Sequence, residues 1–173
     1  MRPTKKITVS AMTTALGSAL MAVGAVWEVA DIALAVAASF LAIVILIEVG
    51  SPYTWLVWLT TSLITFLFFP ASTVWMLYLV FGVFPIIKYY IEKLKRPFWI
   101  LVKLIYANLG IVGLIYAFEF IFGTPVFGTD ILLLKVAIYV ACNFAFLAYD
   151  RLLTVIIRLY VGKYRQRFRH LFK

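Results

Sequence analysis

Six long apolar stretches occupy most of the 173-residue chain and constrain its fold more than any other feature. A helix that crosses a bilayer needs about 20 mostly apolar residues. The sequence predicts six such spans: Ile7–Trp27, Ile32–Val49, Thr54–Phe69, Ser72–Tyr89, Trp99–Phe122 and Ile131–Leu153. Because 65% of the residues are hydrophobic and only 13% are charged, a water-soluble core of this length could not hide the apolar surface. We therefore expect an all-α integral membrane protein, with residues 1–173 forming a single six-helix domain.

Among the connections that flank the predicted spans, only one set contains basic residues. Lys and Arg precede the first span, lie between the fourth and fifth, and follow the sixth. The connections after spans one, three and five hold Glu28, Asp31 and Asp130 but neither Lys nor Arg. Since Lys and Arg are retained on the cytoplasmic side, both termini are predicted to face the cytoplasm. The formal charge of +9 is thus explained by membrane orientation and does not indicate nucleic-acid binding.

The last residues, 158–173, are predicted to form a basic cytoplasmic tail at the membrane surface. Arg151, Arg158 and Arg165 are seven residues apart and are expected to share one helix face, beside apolar residues of the same segment. Such a segment is attracted to anionic lipid. His170 lies among arginines in this tail and does not indicate a metal site or catalysis.

Small residues recur at intervals of one helical turn in the first predicted span. Ala11, Ala15 and Ala19 form this alanine ridge. In lipid, helices gain little from hydrophobic burial, and small residues four apart favour association by permitting close backbone approach. Two interpretations remain open: the ridge packs against the protein's own helices, or it docks a separate membrane subunit.

The opening stretch KKITVSAMTTALGSAL, six spans and cytoplasmic termini resemble the substrate-binding S components of energy-coupling factor (ECF) vitamin transporters. In that family a first-helix Ala-xxx-Ala pattern docks on a transmembrane coupling subunit, and two cytoplasmic ATPases power the complex. The resemblance implies a docking role for Ala11, Ala15 and Ala19, a small-molecule substrate, and a location in the bacterial cytoplasmic membrane. The stretch from Val80 to Gly110 is also similar to uncharacterised bacterial membrane proteins grouped with S components.

Polar and aromatic residues near the predicted outer helix ends, with two asparagines deeper in the bilayer, are the candidates for a substrate pocket. Glu119 and Lys135 could instead snorkel or pair with each other. The asparagines could form interhelical hydrogen bonds, and the rings could pack helices or lie in the interface belt. The predicted substrate-binding residues are Trp27, Glu28, Trp75, Tyr78, Asn108, Tyr116, Glu119, Lys135 and Asn143.

Other functions find less support in the sequence. No H-E-x-x-H, G-x-S-x-G or paired histidines are present, so we expect neither an enzyme nor a metal or cofactor site. A channel or self-sufficient carrier would need a polar stripe through the bilayer or two matching halves, and the sequence reveals neither. A membrane scaffold with the same six-helix shape remains the alternative. The charges predicted at inner helix ends, Glu48, Lys88, Lys103 and Asp150, could pair within the protein or contact a partner.

Overall fold

The structure, a computed structural model, describes residues 2–93, 96–123, 125 and 132–165. Six long helices account for nearly all of this part of the chain. They are α1 Pro3–Val26, α2 Asp31–Glu48, α3 Ser51–Phe68, α4 Val74–Ile91, α5 Arg96–Phe122 and α6 Leu132–Leu159. A short 3-10 turn, Glu28–Ala30, joins α1 to α2, and α6 continues into a π-helical turn, Tyr160–Tyr164. The predicted all-α class is confirmed over the described residues.

Five of these helices are long and apolar enough to cross a membrane: α1, α2, α4, α5 and α6. This supports the prediction of a membrane protein. The remaining helix, α3, has 18 residues and is about 27 Å long at about 1.5 Å per residue. It contains six Ser and Thr residues and is not among the helices that are long and apolar enough to cross a membrane. A membrane crossing by α3 therefore stays a prediction.

The chain packs as two compact units. Unit 1 contains α1 to α4 together with the chain from Ile156 onward, and unit 2 extends from Ile91 to Val155 and contains α5 and most of α6. The unit 1 core is built largely on small residues, which bring the helices close together. A Cβ on Gly24 of α1, for example, would lie 3.0 Å from the Val74 side chain of α4. The fully buried residues around this approach are Met21, Ala35, Ala38, Val74 and Tyr78.

The two ends of unit 1 carry opposite charges. At the end where α1 begins, the Lys6 ammonium lies 5.7 Å from the centre of the Tyr53 ring, and Arg165 Nε lies 3.1 Å from Glu48 Oε1. At the other end, the Thr73 hydroxyl donates to Asp31 at 2.8 Å, and the connections beside it contain neither Lys nor Arg. The separation of charge expected from the sequence is therefore present in unit 1. The basic end carries the start of α1 and the chain beyond α6.

Unit 2 is held together by residues that α5 and α6 turn toward each other. Lys103 and Ala107 of α5 are buried, as are Phe146, Tyr149 and Leu153 of α6. Most other apolar side chains of these two helices are exposed. Extensive apolar exposure is a liability in water but suits a helix surrounded by lipid.

Candidate functional site

A polar cluster in unit 2 joins α5 to α6. Asn108 Oδ1 accepts a hydrogen bond from the Tyr139 hydroxyl and another from Asn143 Nδ2 at 3.3 Å. The amide nitrogens also donate to backbone carbonyls: Asn108 to Leu104 at 2.8 Å and Asn143 to Tyr139 at 3.1 Å. Because an unpaired amide is costly in hydrocarbon, these bonds stabilise the helix pair and fix the amide orientations.

This cluster brings together two of the predicted pocket residues and one that the sequence analysis missed. Asn108 and Asn143 form an interhelical hydrogen bond, which was one of the two interpretations of these residues. Tyr139 was missed because an aromatic ring in an apolar helix is usually a packing residue. Its position four residues before Asn143 was the available signal, since residues at that spacing share a helix face.

An apolar depression of about 380 Å³ lies beside Asn108 on the surface of α5. Its wall is almost wholly apolar, because the Asn108 amide is engaged by Tyr139, Asn143 and the Leu104 carbonyl. The depression therefore suits an apolar group. Its lining residues are Leu101, Leu104, Ile105, Asn108, Leu109 and Val112.

The other predicted pocket residues in unit 1 do not converge on one place. Tyr78 is buried in the core, 1% exposed. Trp75 donates its indole N–H to the Pro70 carbonyl at 3.3 Å, and it packs against another ring at the helix end. Trp27 is 64% exposed, and the side chain of Glu28 lies outside the described residues. The rings of Trp27 and Trp75 therefore suit an interface position more directly than a shared pocket.

In unit 2, the remaining predicted residues lie at the ends of α5 and α6. Tyr116 is 70% exposed, whereas Glu119 and Lys135 are half-buried. Glu119 has an interaction partner within the protein. The amide cluster is therefore the part of the predicted set that forms a defined polar arrangement.

The alanine ridge is on the outer surface of α1. Ala11, Ala15 and Ala19 are all exposed, whereas Gly17 and Gly24 face the protein's own helices. Helix α1 thus has a small-residue face for internal packing and a separate exposed ridge.

A second exposed alanine ridge lies on α6 and was missed in the sequence analysis. Ala137, Ala141 and Ala145 are exposed and repeat at the same interval of four residues. The spacing of four residues was the available signal in the sequence. Both ridges therefore have to be considered as surfaces for helix association.

Three of the four charges predicted at inner helix ends pair within the protein, and the fourth, Lys88, is buried. Lys103 Nζ lies 3.1 Å from Glu92 Oε1 and 3.0 Å from both carboxylate oxygens of Asp150. Glu48 accepts from Arg165 at 3.1 Å and lies 3.5 Å from the Tyr160 hydroxyl. These bonds offset the cost of placing charges near hydrocarbon.

Helix α3 buries several hydroxyl groups that the sequence analysis did not recognise as a pattern. Thr54, Thr61, Ser62 and Thr65 are buried on this helix. A hydropathy profile treats Thr as nearly neutral, so it does not reveal hydroxyls aligned along one side. The spacing of seven and four residues between Thr54, Thr61 and Thr65 was the missed signal.

Among the described residues, no group of three His, Cys, Asp or Glu side chains is placed to hold a metal ion. Tail residues 166–173, including His170, lie outside that part of the chain. Comparisons with protein-family models, curated proteins and solved structures give no match.

Proposed function

We propose that the protein is a membrane-embedded solute-binding subunit of an ECF-type uptake transporter, similar to an S component. It captures a small molecule on the outer side of a bacterial cytoplasmic membrane. A coupling subunit docks on α1, and separate ATPases drive uptake. In this proposal the basic end of unit 1 faces the cytoplasm, and the tail that follows α6 binds anionic lipid.

The observation that carries the proposal is the exposure of Ala11, Ala15 and Ala19. Small side chains on a lipid-exposed face allow a neighbouring backbone to approach closely, where dispersion contacts replace the missing hydrophobic driving force. Helix α1 already has Gly17 and Gly24 for its internal contacts. A second small-residue face is therefore available for a helix of another subunit.

The amide cluster supports the solute-binding half of the proposal. Tyr139 and Asn143 hold Asn108 in a fixed orientation beside an apolar depression. A mainly apolar solute fits this depression. Vitamins and related micronutrients include molecules of that kind.

Matched leucine substitutions in the two alanine ridges test the docking role. Ala15→Leu on α1 and Ala141→Leu on α6 each add the same bulk to an exposed position at the centre of a ridge. We expect Ala15→Leu to abolish co-purification with co-expressed ECF coupling and ATPase subunits, whereas Ala141→Leu retains it. Both variants should keep the thermal stability of the isolated protein, because neither position is buried. Unchanged co-purification of the Ala15→Leu variant would rule out docking through α1.

A membrane scaffold remains the second candidate, and the ridge on α6 favours it. Two exposed alanine ridges suit a protein that joins two membrane partners, and such a protein needs no solute. In that case both leucine variants should disrupt assemblies isolated from native membranes. The ECF subunits would then be absent from those assemblies.

A further inference from the structure

A polar side-chain cluster attaches the chain beyond α6 to the end of α2. This part of the chain packs with unit 1, whereas most of α6 belongs to unit 2. Arg165 Nε donates to Glu48 Oε1 at 3.1 Å, and the Tyr160 hydroxyl donates to the same oxygen at 3.5 Å. Tyr160 begins the π-helical turn, and Arg165 directly follows its end. The carboxylate of Glu48 therefore holds both ends of this turn.

Glu48 and Arg165 differ in how far their surroundings can reach them. The side chain of Glu48 is 10% exposed, whereas that of Arg165 is 51% exposed. Glu48 is the last residue of α2, which is long and apolar enough to cross a membrane, so its carboxylate needs a polar partner. Arg165 is accessible to a competing anion while it meets that need. The contact is therefore open to exchange from the side of the cation.

The residues around Arg165 indicate which anion would compete with Glu48. Lys163 is exposed, and residues 166–173 contain three further Lys or Arg residues and neither Asp nor Glu. Such a segment is attracted to the headgroups of anionic lipid. A guanidinium binds phosphate oxygens in the same forked geometry as a carboxylate. Because an exposed ion pair and a cation at an anionic surface are similarly weak, a lipid phosphate can displace Glu48 from Arg165.

We propose that Glu48 is a latch, which withholds Arg165 from the membrane until the phosphate of an anionic phospholipid displaces it. In the released state the Tyr160 hydroxyl stays beside Glu48, so the carboxylate keeps a hydrogen-bond donor. The latch raises the amount of anionic lipid that the tail needs before it binds the membrane surface. This inference rests on the lipid contact of the tail in the proposed function, and it does not depend on docking through α1.

Matched glutamine substitutions at Lys163 and Arg165 test the latch. The full-length protein carries a polarity-sensitive fluorophore on Gln166→Cys, with Cys142→Ser, in phosphatidylcholine nanodiscs that contain increasing fractions of phosphatidylglycerol. Lys163→Gln should weaken tail binding about fivefold, as expected for one cation at an anionic surface. Arg165→Gln should weaken it only about twofold, because Glu48 already competes for this cation. In a Glu48→Gln background, Arg165→Gln should cost the full fivefold, since no carboxylate then competes.

The two backgrounds separate failure of the latch from failure of the lipid contact. Equal losses from Arg165→Gln with Glu48 and with Glu48→Gln would overturn the latch and leave the lipid contact intact. No loss in either background would also overturn it, because Arg165 would then not reach lipid. A fluorophore that does not respond to phosphatidylglycerol in any variant would overturn both. If circular dichroism shows that Glu48→Gln is misfolded, the wild-type comparison decides, and an equal loss from Arg165→Gln and Lys163→Gln overturns the latch.

Discussion

The charge cluster formed by Glu92, Lys103 and Asp150 makes a quantitative prediction about stability. Lys103 is 7% exposed and lies within 3.1 Å of oxygens from both carboxylates. Removing one partner of a buried ion pair costs about 3–5 kcal/mol, because the remaining charge is left uncompensated. We expect Lys103→Met to reduce the free energy of unfolding by that amount, since it leaves two facing carboxylates without their shared cation.

The carboxylates of Asp150 and Glu92 should contribute unequally to the free energy of unfolding. The Asp150 side chain is 14% exposed and bonds Lys103 through both oxygens, whereas the Glu92 side chain is 34% exposed and bonds through one. Solvent screens the more exposed pair, so Glu92→Gln should cost no more than about 1 kcal/mol. Asp150→Asn should cost about 2–3 kcal/mol, as expected for a more buried charge pair.

Denaturation by sodium dodecyl sulfate in mixed micelles, followed by circular dichroism, measures these differences. The double variant Lys103→Met with Asp150→Asn should cost less than the sum of the single variants by about 1–3 kcal/mol, because the two residues share one interaction. Arg151→Met is the matched control, since Arg151 is exposed beside Asp150 and its loss should change stability by less than about 0.5 kcal/mol. This account of the cluster would be refuted if the losses of stability from Lys103→Met and Asp150→Asn simply added in the double variant. It would also be refuted if Glu92→Gln reduced the free energy of unfolding as much as Asp150→Asn.

Two further predictions concern solute binding and helix packing. If the amide cluster binds a solute, one member of a vitamin and metabolite panel should raise the melting temperature of the wild type but not of Asn143→Leu. At a solute concentration 100-fold above the dissociation constant, the free energy of unfolding should rise by about 2.7 kcal/mol. An unchanged melting temperature across the whole panel would favour the scaffold function. In α4, Gly82→Ala should destabilise by about 1–3 kcal/mol, because its Cβ would lie 2.8 Å from the Tyr78 ring. Gly113→Ala on α5 meets no atom within 4 Å and should be neutral or stabilising; a loss of stability at this control position would contradict the packing argument.

The helices could be predicted from the sequence because membrane insertion leaves a strong one-dimensional signal. Runs of apolar residues and the breakers between them place all six helices, although α1 begins earlier than predicted, at Pro3, and α6 ends later, at Leu159. These extensions are amphipathic or polar, and a helix can continue into the interface without an apolar sequence. The end of an apolar run is therefore not the end of a helix.

The polar sites were less predictable because they depend on which helix faces meet. Asn108 and Asn143 were recognised individually, since an amide in an apolar segment requires a partner. The orientation of the Thr61 hydroxyl could not be predicted, because most threonines on the same helix bond their own backbone. Thr61 instead bonds the Tyr78 side chain of α4, a partner that only the packed structure reveals.

The π-helical turn Tyr160–Tyr164 has a consequence for the direction in which the tail presents its charges. A π turn bonds each residue to the fifth along rather than the fourth, so it delays the rotation of the chain that follows. The heptad spacing of Arg158 and Arg165 assumes a regular α-helix, and this π turn lies between them. Arg165, the residue after the turn, lies 3.1 Å from Glu48 Oε1 while its side chain stays 51% exposed. The turn therefore sets the angle at which Arg165 reaches Glu48, although Arg158, Lys163 and Arg165 are all exposed.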